Sequence, residues 1–259
     1  MSSRPYDRGG RSGDGWPDDS AAPALQVFLL DRIGFDLCLQ LQQQLVAAVA
    51  ARDDGQATVL LAEHPPVITV GRGGSAEEVV LGHPLIRQGQ VAVRWTNRGG
   101  GAWLHCPGQL GVYCLTPLGH RRWTPGAYLR RLLAAIVETL DDLNIAADAH
   151  GRLDGLWGRS GQLAAAGLAF RHGVSYHGLW LNVNPPMGLF RLLQRGVGEQ
   201  DRIGCLVAER RGPVRMPTVR STLIGHLAEA LGCDRYHLHT GHPMLRRLPH
   251  PRPRNETSR

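Results

Sequence analysis

Short apolar runs, each cut off by proline or by a glycine cluster, set the tightest limit on what this chain can fold into. Residues 57–62, 67–70 and 91–95 are such runs, separated by Pro65-Pro66 and by the glycines of 71–74 and 99–101. Runs this short are strand length, and the breakers between them forbid a continuous helix. Leu25–Leu30, Gln109–Leu118 and segments at 145–148, 153–157, 163–170 and 174–183 read as further strands. Between them lie three stretches with helical spacing. Residues 34–52 place Phe35, Cys38, Leu41, Leu45, Ala48 and Val49 on one face, 126–143 does so with Tyr128, Leu132, Ile136, Leu140 and Leu143, and 217–231 with Leu223, Leu227 and Leu231. Strands in series with helices between only some of them predict an α+β fold, a mixed or mainly antiparallel sheet with helices packed against it.

With no internal repeat and no long linker, one domain is expected over 25–244. The flanks, 1–24 and 245–259, are rich in Gly, Ser, Asp, Pro and Arg and are expected to be mobile tails. No apolar run approaches the roughly 18 residues of a membrane span, and the start lacks an apolar signal core, so the expected compartment is the cytoplasm.

Composition then excludes chemistry. All 29 of the Lys+Arg total are arginine. A chain without lysine has no internal Schiff base, no P-loop lysine and no lysine general acid, because a guanidinium does not trade protons near neutrality. The net charge of +7 is carried by scattered arginines without interleaved aromatics, which fits an acidic protein partner and gives no nucleic-acid pattern. Five well-separated cysteines with no CxxC predict free thiols, with neither a disulfide framework nor structural zinc. His237, His239 and His242 sit close together but lack matched cysteines or carboxylates, so no metal or other cofactor is expected there.

Three segments concentrate glycine, proline and histidine beside apolar strands: Glu63-His64-Pro65-Pro66-Val67-Ile68-Thr69-Val70-Gly71-Arg72, then Arg98 through Gln109, then Tyr176 through Asn184. Consecutive glycines let a ligand approach the backbone and leave N–H groups for a carbonyl or oxyanion. In order and spacing these segments, with Gln162-Leu163-Ala164-Ala165-Ala166-Gly167, resemble the lipoyl(octanoyl) transferase family, also called lipoate-protein ligase B, over most of 25–231.

The resemblance implies a biotin/lipoyl ligase-like fold and an acyl transfer. Family enzymes take octanoyl from acyl carrier protein to a lysine of a lipoyl domain, in a 2-oxoacid dehydrogenase subunit or the glycine-cleavage H protein. They work through a cysteine thioester, with a lysine assisting proton transfer. Carried over residue by residue, the substrate site is Arg98, Gly99, Gly100, Gly101, Ala102, Trp103, Leu104 and His105, with Ala165, Ala166, Gly167, Gly178, Leu179 and Trp180. The family's lysine falls on Gln162 and its cysteine on Gly196, so neither catalytic group is at its matched position. Cys106, beside His105, is the candidate for a relocated thiol–imidazole pair; Cys205 lies past the catalytic turn. Trp103 and Trp180, bulkier than the residues common in the family, are expected to narrow the acyl pocket. Two readings follow: an octanoyltransferase, or a degenerate relative that binds the acyl group or the lipoyl domain without turnover. An ATP-dependent ligase is disfavoured, since those enzymes also rely on a lysine.

Overall fold

The computed structural model describes residues 23–52, 54–150, 154–196, 198 and 201–248, so most of both expected tails lies outside the described residues. Ten strands and five helices are described: β1 (Leu25–Arg32), α1 (Phe35–Ala51), β2 (Thr58–Glu63), β3 (Val67–Val70), α2 (Pro84–Arg87), β4 (Ala92–Trp95), β5 (Ala102–His105), β6 (Gln109–Leu115), α3 (Pro125–Asp142), β7 (Gly155–Gly158), β8 (Gly161–Arg171), β9 (Val174–Asn182), α4 (Leu206–Arg210), α5 (Met216–Ala230) and β10 (Tyr236–Thr240).

Seven strands form one mixed sheet in the order β10-β1-β2-β6-β9-β8-β7, and β4-β3-β5 form a small second sheet. In the large sheet β1 is parallel to both β10 and β2, and the remaining pairs are antiparallel. The central strands are apolar on both sides because both faces are covered. On β2, Val59 and Leu61 face one core and Leu60 and Ala62 the other; on β6, Leu110, Val112 and Cys114 oppose Tyr113 and Leu115 in the same way. The first core is closed by α3 and α5, the second by α1 and the small sheet. That alternation is the period of two that a strand imposes.

Helix starts follow local chemistry. Thr124 caps α3 by accepting from the Ala127 N–H at 3.2 Å, and Pro125 occupies the first turn, where its missing N–H costs nothing. The expected buried faces of α3 and α5 are all buried. On α1, however, Ala48 is exposed, and Gln42 and Val46 are buried instead. Gln42 is drawn inward because its Oε1 accepts from the His177 backbone N–H at 2.8 Å.

Several sequence expectations change. Residues 145–148 contribute only an isolated bridge, Asp148 to Trp157, because that stretch runs straight from the end of α3 into the loop before β7. Two strands went unforeseen, β5 and β10. In β10, His237 and His239 flank Gln26 of β1: Gln26 Nε2 donates to His237 Nδ1 at 3.2 Å and His239 Nε2 donates to Gln26 Oε1 at 3.0 Å. Two of the three close-set histidines are thus edge-strand residues, with His239 stacked on Phe28 at 4.7 Å, while His242 lies beyond β10 and accepts from the Met244 N–H at 3.2 Å. Packing also continues past 244, since Leu248 is buried in the second core. No described helix is long and apolar enough to cross a membrane.

Candidate functional site

The three glycine- and histidine-rich segments converge where the small sheet meets β9. Pairing sets the meeting: Thr69 of β3 lies opposite Trp103 of β5, and Gln109 of β6 opposite Asn182 of β9. The loop 98–101 folds back on the end of β3 so closely that a Cβ on Gly71 would lie 2.3 Å from the Gly100 carbonyl oxygen, which no side chain tolerates.

A directed chain of buried hydrogen bonds runs through this junction. Arg98, 2% exposed, donates from Nε and Nη2 to Thr69 Oγ1 at 2.9 and 2.8 Å, and from Nη1 to the Gly99 carbonyl at 2.8 Å. The guanidinium also lies over the Trp180 ring, 5.1 Å from its centroid. Having accepted from Arg98, Thr69 Oγ1 donates to His105 Nε2 at 2.8 Å; His105 Nδ1 donates to Gln109 Oε1 at 3.2 Å. Gln109 Nε2 passes the chain to Asn182 Oδ1 at 2.8 Å, and Asn182 Nδ2 to the Gly204 carbonyl at 3.0 Å.

This arrangement fixes His105 as a neutral imidazole. Burial holds its pKa well below the ordinary histidine value, and the charge of Arg98 adds to that. His64 is likewise neutral, lowered to about 4 by burial, with Nδ1 bonded to the Ile33 carbonyl at 2.7 Å and Nε2 to the Tyr113 hydroxyl. Arg98 itself is lowered to about 10 by burial, opposed by the negative charge of Glu78.

A cavity of about 280 Å³ opens beside this network. Its walls come from Glu78, Arg98, Gly100 to Trp103, Asp154, Gln162, Ala165, Ala166, Trp180, Leu193 to Gly196 and Asp201. Eight of the residues carried over from the resemblance, Arg98, Gly100, Gly101, Ala102, Trp103, Ala165, Ala166 and Trp180, therefore share one cavity with the two matched catalytic positions, Gln162 and Gly196. Gly99 and Gly167 line an adjoining apolar groove of about 560 Å³ together with Pro125, Leu129 and Phe170. Leu104, His105, Gly178 and Leu179 line neither. Leu179 faces the α3/α5 core, and at Gly178 a Cβ would collide with the Val112 carbonyl, so that glycine serves strand packing.

Cys106 does not line the cavity either. It is 1% exposed in the second core, and burial together with the charge of Glu63 raises its thiol to about 12. A thiol so placed is protonated at neutral pH, and both His105 nitrogens are already engaged by Thr69 and Gln109. The structure thus gives the Cys106–His105 neighbours separate packing and network positions.

The residues sequence reasoning missed are those that surround Gln162 and Gly196, the positions matched by resemblance to the family's catalytic pair. Arg195 donates from Nη2 to Gln162 Oε1 and from Nε to the Asp201 carbonyl, both at 3.0 Å, and lies over the Trp103 ring at 5.5 Å. A Cβ on Gly196 would meet Asp201 Oδ2 at 2.2 Å, so a carboxylate stands where a cysteine side chain would start. Glu78 spans to the glycine loop, its Oε2 accepting from the Ala102 N–H at 2.6 Å. The signal for Arg195 and Asp201 was their nearness in sequence to Gly196.

Comparison with known proteins agrees with this geometry. Residues 36–228 match the family described as Lipoyl protein ligase A/B catalytic domain. The octanoyltransferase of Geobacter metallireducens is 36% identical over 196 residues, covering 76% of this chain and 88% of that protein. The octanoyltransferase of Solibacter usitatus is 37% identical over 166 residues, 63% of this chain and 74% of that protein. Among solved structures, the bipartite lipoate protein ligase of Thermoplasma acidophilum superposes with TM-score 0.70 at 18% identity, covering 87% of this chain and 90% of that one. A lipoate-protein ligase A bound with ATP gives TM-score 0.71 at 17% identity over 86% of this chain and 92% of that one. These structures share the fold expected from the sequence, and with the family match and the identity to the curated relatives they establish that the chain belongs to the lipoyl protein ligase A/B family, on its octanoyltransferase side.

Proposed function

We propose that this protein works on the octanoyl group of protein lipoylation, taking it from acyl carrier protein to a lysine of a lipoyl domain in a 2-oxoacid dehydrogenase or the glycine-cleavage H protein. The observation that carries this reading is the shared cavity, in which Arg98, the glycine loop, Ala165-Ala166 and Trp180 surround the matched positions Gln162 and Gly196. The curated octanoyltransferases at 36–37% identity support it, and the net charge of +7 suits acidic carrier domains.

With glycine at 196, transfer takes place without an acyl-enzyme at that position. The lysine amine attacks the thioester carbonyl directly, the C–N bond forms as the C–S bond breaks, and the amine's proton goes by way of a wall carboxylate, Asp154 or Asp201, to the leaving thiolate. A second reading is that the protein holds the acyl group without turnover, since glycine at 196 and glutamine at 162 supply neither a nucleophile nor a proton-transfer group.

Mass spectrometry of a mixture of this protein, octanoyl-carrier and a lipoyl domain separates the two. Octanoylated lipoyl domain with no adduct on the enzyme supports direct transfer. Bound octanoyl species with an unmodified lipoyl domain supports holding. An adduct within 191–203 overturns both.

A further inference from the structure

The apolar groove beside the cavity shares Gly100, Asp154 and Ala166 with it and extends from there along β8 to Phe170. From Ala166 to Phe170 the strand covers roughly 13 Å. Strand alternation puts Ala166, Leu168 and Phe170 on one face, and Pro125, Gly126 and Leu129 of α3 make the other wall. The groove is unevenly charged. The carboxylate of Asp154 stands where it joins the cavity, whereas on its rim a Cβ on Gly126 would lie 3.7 Å from Arg130 Nη1, so the Arg130 guanidinium rests over the α3 wall. Arg171 follows Phe170 directly, and Arg131 lies over the Trp123 ring at 4.6 Å. Trp123 stacks on Tyr128, and Tyr128 meets Phe170 edge-on, so an aromatic row backs this end of the groove. Phe170, Arg130, Arg131 and Arg171 are all exposed, and none of these arginines pairs with a carboxylate among the described residues.

We propose that this groove holds the phosphopantetheine arm of the acyl carrier, and that Arg130 and Arg171 dock the acidic carrier domain at its outer end, so that the thioester enters the cavity past Gly100. Such an arm is an uncharged chain of amides and methyl-bearing carbons joined to its carrier by a phosphodiester. Its length suits the apolar walls, and its phosphate suits guanidiniums that have no carboxylate partner. The length of the path selects this occupant over the acceptor. A lysine side chain on a folded domain docked at Phe170 falls short of the cavity, whereas a flexible arm spans the distance. The proposal rests on the reading of the cavity as an octanoyl site.

Surface plasmon resonance of the full-length protein with octanoyl-carrier, with carrier lacking the arm and with a lipoyl domain, at low and high salt, tests it. Octanoyl-carrier is expected to bind about tenfold or more tightly than the arm-free carrier, and Leu129→Trp, which fills the groove, to bring the two within about twofold. Arg130→Glu with Arg171→Glu is expected to weaken octanoyl-carrier about tenfold at low salt and much less at high salt. Arg87→Glu with Arg235→Glu, the same change of charge at exposed sites elsewhere, is expected to stay within about twofold of the natural protein. Unchanged binding in the Arg130/Arg171 variant, or an equal loss in both double variants, overturns the docking site and leaves the octanoyl site standing, whether or not Leu129→Trp folds. A preference for the octanoyl form that survives in folded Leu129→Trp overturns the placement of the arm. A loss confined to the lipoyl domain gives this face to the acceptor and overturns the proposal. No binding of octanoyl-carrier to the natural protein overturns the octanoyl reading as well.

Discussion

Arg195 Nη2 donates to Gln162 Oε1 at 3.0 Å, joining a residue next to the family's nucleophile position to the residue at the family's lysine position. The position that the resemblance matches to the family's lysine is thus tied to the neighbour of the position matched to its cysteine. The pairing is stable because neither partner titrates near neutrality.

Restoring the family's residues therefore needs a third change. Gly196→Cys places its Cβ on Asp201 Oδ2, which is itself held by the Gly198 N–H. Gly196→Cys with Gln162→Lys is expected to give little octanoyl thioester, and adding Asp201→Ala to raise its yield about tenfold or more by clearing the space and removing a charge that keeps the thiol protonated. Peptide mass mapping across 191–203 after incubation with octanoyl-carrier measures this. Equal yields from the double and triple variants would show that Asp201 is no obstacle.

Acid should weaken the fold in a defined window. His64 falls to about 4 and His177 to about 3, in both cases mainly by burial, and His105 falls in the same direction. In the unfolded chain all three regain a pKa near 6.5. The unfolded state thus binds more protons below pH 6.5, so the stabilisation is whole above that value and drains away as pH falls towards 4. Three such groups give a slope of up to about 4 kcal/mol per pH unit. Urea midpoints at pH 7, 6 and 5 should drop progressively; a flat profile would mean these imidazoles are not held neutral.

All five cysteines are buried. Cys38, Cys106 and Cys114 are each raised to about 12 by burial. The folded protein at pH 8 should therefore react with a thiol reagent far more slowly than the unfolded chain, and Cys106→Ser should leave octanoyl transfer to a lipoyl domain within about twofold. Fast labelling of Cys106, mapped by mass spectrometry, would restore it as a nucleophile candidate.

Arg121 and Arg122, adjacent in sequence, should separate in effect. Arg121 donates from Nη1 to the Gly55 carbonyl and from Nε to the Leu231 carbonyl at 2.9 Å, tying the β2 approach to the end of α5, whereas Arg122 is exposed. Arg121→Gln should cost about 1–3 kcal/mol in urea unfolding. Arg122→Gln should leave stability unchanged and, if this face meets an acidic lipoyl domain, weaken that association at low salt but not at high salt. A stability loss for Arg122→Gln equal to that for Arg121→Gln would contradict the assignment.

Much of the fold was legible because apolar spacing and breakers act locally. β2, β3, β9, α3 and α5 all lie within a residue or two of where the pattern placed them. Gln42 and β10 were not legible, because a partner distant in sequence decides each: the His177 backbone draws in the glutamine, and β1 turns Tyr-His-Leu-His-Thr into a strand. At the site, the glycine loop, Ala165-Ala166 and Trp180 could be read from motif order. Arg195 and Asp201 could not, since their role depends on space left by a missing side chain, which only the folded chain reveals.

The parallel pairing of β10 on β1 has a consequence for how the chain is made. Gln26 emerges from the ribosome early, yet its partner His237 follows 211 residues later. Until then the outer edge of β1 offers unpaired backbone groups to any neighbouring strand, and the long separation makes the final closure one of the slower steps of folding. Synthesis interrupted before residue 236 would release a sheet with that edge still open, and aggregation of such shortened chains is where the cost of this topology would fall.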